Sequence, residues 1–188
     1  PFTWKRSRRG DAPVDRAVAR ALAESGRPHA IRPFEPIGYD ERQFGSPGFD
    51  LPVGRLTRTP NGEYPEYHSS ADDLSFLDPD ALAGSLDLLE SVAGILEGNR
   101  RYRNLRPMGE PRLSRWGLHE AFGKAPDRAQ AQKAALWTLN LCDGDHDLLG
   151  IAERSGLPFA AVRTAADRLE AAGLIDPIDA PSPNRKEV

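Results

Sequence analysis

A single cysteine, Cys142, stands among 188 residues, and that scarcity excludes an internal disulfide and a cysteine-rich zinc cluster. Long hydrophobic runs are missing as well. No apolar stretch approaches the length that spans a bilayer, and 39% hydrophobic with 28% charged residues describes a soluble protein, for which a cytoplasmic setting and no membrane are expected. An excess of either charge is also lacking. The formal net charge of −3 offers no general attraction to nucleic acid or an anionic lipid surface. HExxH and CxxC signatures are absent, so no complete metal site can be read from spacing.

What is present changes character along the chain, which favours a partial domain joined to a small one over a single ordinary domain. Asp15–Ser25 predicts an amphipathic helix, with Val14, Val18, Ala21 and Leu22 on one face and Gly26 as the stop. Ala30–Phe34 and Leu51–Thr57 read as short strands, the first set at an edge by Pro33 and the second closed by the turn Thr59-Pro60-Asn61-Gly62. Between them Tyr39–Asp50, with Gly45, Pro47 and Gly48, is expected to be irregular. Asp78–Gly98 is the strongest helix, capped by Asp78 with Pro79 in its first turn. Its stripe of Leu82, Leu86, Leu89, Val92, Ala93 and Leu96 is expected to be core. Arg100–Asp127, with scattered prolines and little periodicity, reads as a packed linker. Helices over 134–140, 148–154 and 159–172, the last two joined by Ser155-Gly156-Leu157-Pro158, then resemble a winged helix-turn-helix.

Chemistry concentrates in the run Tyr64-Pro65-Glu66-Tyr67-His68-Ser69-Ser70-Ala71-Asp72-Asp73-Leu74. A histidine at a turn, beside the rigid Pro65 and Tyr67 and followed by carboxylates, suits a metal ligand whose ring a carboxylate orients. An isolated loop imidazole is in most cases a surface or hydrogen-bonded residue, and zinc needs at least three protein ligands. Two charged groups accompany it. Lys5, Arg6, Arg8 and Arg9 form a basic knot, whereas Asp40, Glu41 and Arg42 sit side by side in a glycine-rich loop that serves either as a salt-bridged brace or as a pocket wall.

Tyr67-His68-Ser69-Ser70-Ala71-Asp72, with Leu77-Asp78-Pro79-Asp80-Ala81-Leu82 after it, resembles the HTxxD segment near the end of the co-catalytic zinc aminopeptidases, where that histidine is the last metal ligand. Gly38 to Val53 falls where those enzymes carry an SDH…F…GxP segment, but has Glu41-Arg42 in place of the histidine. From Trp4-Lys5-Arg6-Ser7-Arg8-Arg9-Gly10 to beyond Leu174, the chain is similar to a bacterial aminopeptidase-like family of unassigned activity, linked with polysaccharide biosynthesis and ending in a winged helix. The resemblance implies an α/β fold class: residues 1–99 as the C-terminal part of an α/β/α sandwich, 100–127 as a packed linker, 128–178 as a small winged-helix domain and 179–188 as a tail. It also implies zinc as cofactor, held by His68, with Asp72 behind the ligand. A small peptide or amide substrate would then meet Asp40, Glu41, Arg42, Tyr67 and Arg8. The family's other metal ligands precede the segment matched by residues 1–10, so the expectation is a C-terminal portion of a longer protein, inactive alone, whose catalytic residues are not in this sequence.

Two further readings stand beside the hydrolase: a non-catalytic binding or assembly protein on the same scaffold, and a winged-helix transcriptional regulator. Charge weighs against the regulator. From Arg128 to Ile175 there are five basic and six acidic residues, a balance that opposes the counterion release on which most non-specific DNA affinity rests. Phe159, Leu157 and Trp137 read as core or docking anchors, so the winged helix is expected to serve a protein partner or self-association.

Overall fold

A computed structural model describes residues 1–123 and 125–178, the side chains of 119–121 excepted. The expected tail, 179–188, lies outside the described residues. The chain divides into two compact units, Pro1–Glu97 and Gly98–Val188.

In the first unit, β1 (Phe2–Lys5) lies between β2 (His29–Arg32) and β3 (Arg55–Thr57). β1 and β2 run parallel, with Phe2 opposite His29, while β3 is antiparallel, with Trp4 opposite Leu56. A parallel neighbour requires a crossover, and α1 (Pro13–Glu24) supplies it. Phe2, Trp4, Ala17, Val18, Ala21 and Leu22 are buried and form the core of this unit. Asp15 is buried with them, yet its carboxylate is fully engaged. It accepts from Trp4 Nε1 at 3.2 Å, Ser7 N at 2.7 Å, Ser7 Oγ at 2.5 Å and Ala12 N at 3.2 Å. Four donors replace the water that a buried charge gives up, and they pin the strand exit to the helix start.

Two expectations need correction here. Tyr39–Asp50 is not wholly irregular, because Asp40–Phe44 closes a short helix, α2, with Tyr39 at its N-cap and Gly45 at its C-cap. The leucine stripe of α3 (Pro79–Gly98) is not core: among its expected members only Val92 is buried, and the buried face runs through Gly84, Leu88, Val92 and Ile95. α3 is apolar nearly all round, so periodicity did not single out the face that its neighbours cover. Asp78 does cap it, accepting from Asp80 N at 2.9 Å.

The second unit is a helix-turn-helix with its wing. β4 (Arg101–Asn104) is the central strand between β5 (Asp143–Asp147) and β6 (Ile175–Ile178), antiparallel to both. α5 (Arg128–Leu141), α6 (Leu148–Ser155) and α7 (Phe159–Ala171) pack through Leu139, Leu148, Leu149, Ile151, Val162 and Leu169, all buried. α4 (Leu118–Gly123) precedes them. Asp147 caps α6 by accepting from Gly150 N at 2.6 Å, and Gly156 takes the left-handed conformation (φ 69°) that turns the chain toward α7. The expected linker over 100–127 thus contributes a strand to this unit. Leu157 and Phe159 are buried in the same unit, and Trp137 is half-buried.

Burial raises the Tyr102 phenol to about 12, helped by the Glu170 carboxylate that accepts its proton at 3.0 Å. It raises the buried Cys142 thiol to about 12 as well. Both stay protonated and neutral in the interior, consistent with structural roles.

Candidate functional site

Three stretches of the first unit, far apart in sequence, meet around His68: the approach to α2, the turn after β3 and the loop 64–73. His68 has φ 57°, a left-handed conformation that a β-carbon disfavours by roughly 1–2 kcal/mol. Local turns hold it there. Tyr67 N donates to Tyr64 O at 3.3 Å, Ser69 N to Glu66 O at 3.1 Å and Asp72 N to Ser69 O at 3.2 Å. The imidazole stacks on the Tyr67 ring, centroids 4.0 Å apart and planes 16° off parallel. Tyr64 meets Tyr67 edge-on at 5.6 Å.

The Tyr67 hydroxyl lies 2.7 Å from that of Tyr39, and Asn61 Nδ2 donates to the same Tyr39 oxygen at 3.0 Å. Arg55 Cζ stands 4.5 Å over the Tyr39 ring. With Tyr67 as donor, Tyr39 accepts twice: the Tyr67 bond, the Asn61 bond and the nearby guanidinium hold the Tyr39 phenol below its usual range. The same hydrogen bond raises Tyr67. Neither ring nitrogen of His68 makes a hydrogen bond among the described residues, and the Asp72 carboxylate is not bonded to the ring. His29 and His146 differ: their Nδ1 atoms meet Arg27 O at 2.9 Å and the Asp143 carboxylate at 2.8 Å.

The charged residues named with His68 fall in different places. Asp40 and Arg42 are exposed on α2. Glu41 points inward, only 2% exposed, with Lys5 Nζ 2.5 Å from its Oε1 and Tyr39 N donating to Oε2 at 3.1 Å. Burial pushes the Glu41 carboxyl up, but the Lys5 hydrogen bond and charge with the backbone donors outweigh it and leave it below the usual value. Glu41 is therefore a brace rather than a pocket wall. Gly38 makes room for it, since a β-carbon there would sit 2.2 Å from Glu41 Oε1. Arg8 reaches Asp50 Oδ1 at 3.1 Å and Arg9 reaches Asp50 Oδ2 at 3.0 Å, so the end of the basic knot clamps the loop end at Asp50 (φ 46°).

Among the described residues no three His, Cys, Asp or Glu side chains converge to hold a metal, and His68 fits the part of one ligand only, by its open nitrogens and fixed ring plane. Sequence reasoning missed Asn61 and the pairing of Tyr39 with Tyr67. The Asn61-Gly62 dipeptide registered as a turn, and nothing in a turn announces what its amide will meet.

The first unit is a small mixed α/β unit and the second a helix-turn-helix with its wing, and comparison with known proteins gives each a family. Residues 1–99 match the model of a domain of unknown function, DUF4910, and residues 100–177 match a winged helix-turn-helix. The chain belongs to the DUF4910 family. A protein of Clostridium acetobutylicum described as a polysaccharide biosynthesis protein with an aminopeptidase-like domain is 41% identical over 166 residues, covering 88% of this chain and 38% of that protein. A crystal structure described as that of a peptidase from the same organism superposes with a TM-score of 0.84 at 37% identity, covering 94% of this chain and 39% of the other. The chain thus spans well under half the length of the relatives it matches. Among the described residues, no helix is long and apolar enough to cross a membrane.

Proposed function

We propose that this chain forms part of a zinc-dependent aminopeptidase-like hydrolase acting on a peptide or amide bond, in which His68 contributes one metal ligand. The observation that carries the reading is His68 itself, held in a disfavoured backbone conformation, stacked on Tyr67 and open at both nitrogens. Backbone strain in a side chain without a structural hydrogen bond is characteristic of functional positions. When bound, zinc would supply Lewis acidity and a water of lowered pKa. The residues of this chain would hold the imidazole plane through Tyr67, Tyr39 and Asn61 and present Asp40 and Arg42 on the exposed side of α2 to a polar substrate. Arg8 would act through the Asp50 clamp rather than as a free anion receptor.

The test is metal analysis of the intact protein and of its His68→Ala variant. Zinc is expected in the first and much less in the second, whereas equal contents would remove His68 from the site. The 188-residue chain alone is expected to bind zinc weakly and to be inactive, since it brings one ligand; tight one-to-one binding by it would show the site to lie elsewhere.

The second reading is a binding or assembly protein on the same scaffold. Absence of zinc from the intact protein would select it. In either case the winged helix is assigned to protein contacts. On α7, Arg163 Nε donates to Asp167 Oδ1 at 3.1 Å and Arg168 lies over the Phe122 ring at 5.3 Å, which leaves few cations for phosphates.

A further inference from the structure

The outward side of α3 is an apolar surface that the candidate site does not use. Leu82, Leu86, Leu89 and Leu96 are 75%, 57%, 53% and 39% exposed, and with exposed Ala93 they recur at the spacing that lines one face of a helix. The face does not stop at the helix. Leu74 and Leu77, in the segment leading to α3, are 84% and 67% exposed, and a groove of about 370 Å³ with Tyr64, Phe76, Leu77 and Leu82 in its wall and Arg58 and Asp78 at its charged positions continues the stripe. A continuous apolar face of this kind marks a surface that something covers.

Charge selects the occupant. Between Arg58 and Arg100 there is no lysine or arginine, while nine aspartates and glutamates fall in that stretch, of which Glu63 and Asp87 pair with Arg32 and Arg27. Glu90 and Glu97, both exposed, run along one flank of the stripe. A second copy meeting this face with its own would set acid against acid and is disfavoured. Polypeptide able to cover it exists in the relatives, where the matched region is 38% of the protein. We propose that the α3 stripe is an internal docking face, covered in the intact protein by a segment of the same polypeptide outside these 188 residues, and that this segment presents an apolar ridge rimmed by lysine or arginine. The proposal does not depend on zinc or on His68.

Thiol labelling tests it. Cys142 is 1% exposed and gives little background in the 188-residue chain, and labelling of each protein is read as the excess over its unsubstituted parent. Leu86→Cys, with Leu89→Cys as a second position, then reports on the stripe without disturbing the core. Labelling by a maleimide is expected to be at least tenfold slower in the intact protein than in the 188-residue chain. A thiol-linked benzophenone at either position is expected to cross-link to a single segment outside residues 1–188 containing lysine or arginine. Equal labelling rates overturn the proposal. So do cross-links to a second copy, to a separate protein or to a segment lacking basic residues, and so does an intact polypeptide no longer than 188 residues.

Discussion

The hydroxyl of Tyr67 lies 2.7 Å from that of Tyr39, 28 positions earlier in the chain, and this bond ties the stacking partner of His68 to the approach to α2. Asn61 donates to the same oxygen, so three loops converge on one atom. Tyr39→Phe removes that atom and leaves the ring beneath Arg55. The Tyr67–His68 stack is expected to loosen, and the imidazole protons of His68 should lose much of the upfield ring-current shift that a ring 4.0 Å away imposes. Proton NMR of the 188-residue chain reads this directly. An unchanged His68 spectrum would mean that the loop 64–73 holds the ring unaided.

His68→Gly separates backbone from ring. Glycine accepts φ 57° without penalty, so the folded state should gain roughly 1–2 kcal/mol, of which the looser unfolded chain takes back up to about 1. Urea denaturation is expected to show unchanged or raised stability. A loss greater than about 1 kcal/mol would mean that the stack on Tyr67 is a structural contact of the first order, weakening the case for a functional histidine.

Acid should loosen the first unit through Glu41. Its carboxyl titrates lower in the folded state than when unfolded, because burial, which raises it, is outweighed by Lys5 and the backbone donors that hold it down. Its contribution is therefore complete above the unfolded value and is lost as pH falls through the folded one. Thermal midpoints measured from pH 6 to pH 3 should fall less steeply for Glu41→Gln than for the parent. Near neutral pH, Glu41→Ala is expected to destabilise by roughly 2–4 kcal/mol, at the low end for a buried pair because Lys5 keeps some access to water. Parallel pH profiles for parent and Glu41→Gln would refute the assignment.

Mobility shifts address the winged helix. On random duplex DNA at low salt, the chain is expected to show no salt-sensitive retardation at submicromolar concentration, because the α7 arginines are engaged within the fold. Retardation that weakens steeply with salt would restore the regulator.

Much of the architecture could be read from local pattern. The helix over α1, the Asp78 cap, the helix that became α3 and the turn before α7 depend on residues within one or two turns of each other, where spacing and capping chemistry act directly. β4 could not be read that way. Arg101-Tyr102-Arg103-Asn104 carries one apolar residue and becomes a strand because Tyr102 and Arg103 pair with Pro177 and Asp176, more than 70 positions later. The candidate site divides along the same line. His68 stood out through its neighbours in sequence, yet Tyr39 meets its stacking partner Tyr67, and Asn61 and Arg55 meet Tyr39, only through packing, and Glu41 was turned inward by Lys5, 36 positions before it. For α3, composition decided that a long apolar helix would form. Which of its faces is buried depended on the surfaces that the rest of the chain brought against it, a distinction that a helix apolar nearly all round does not encode.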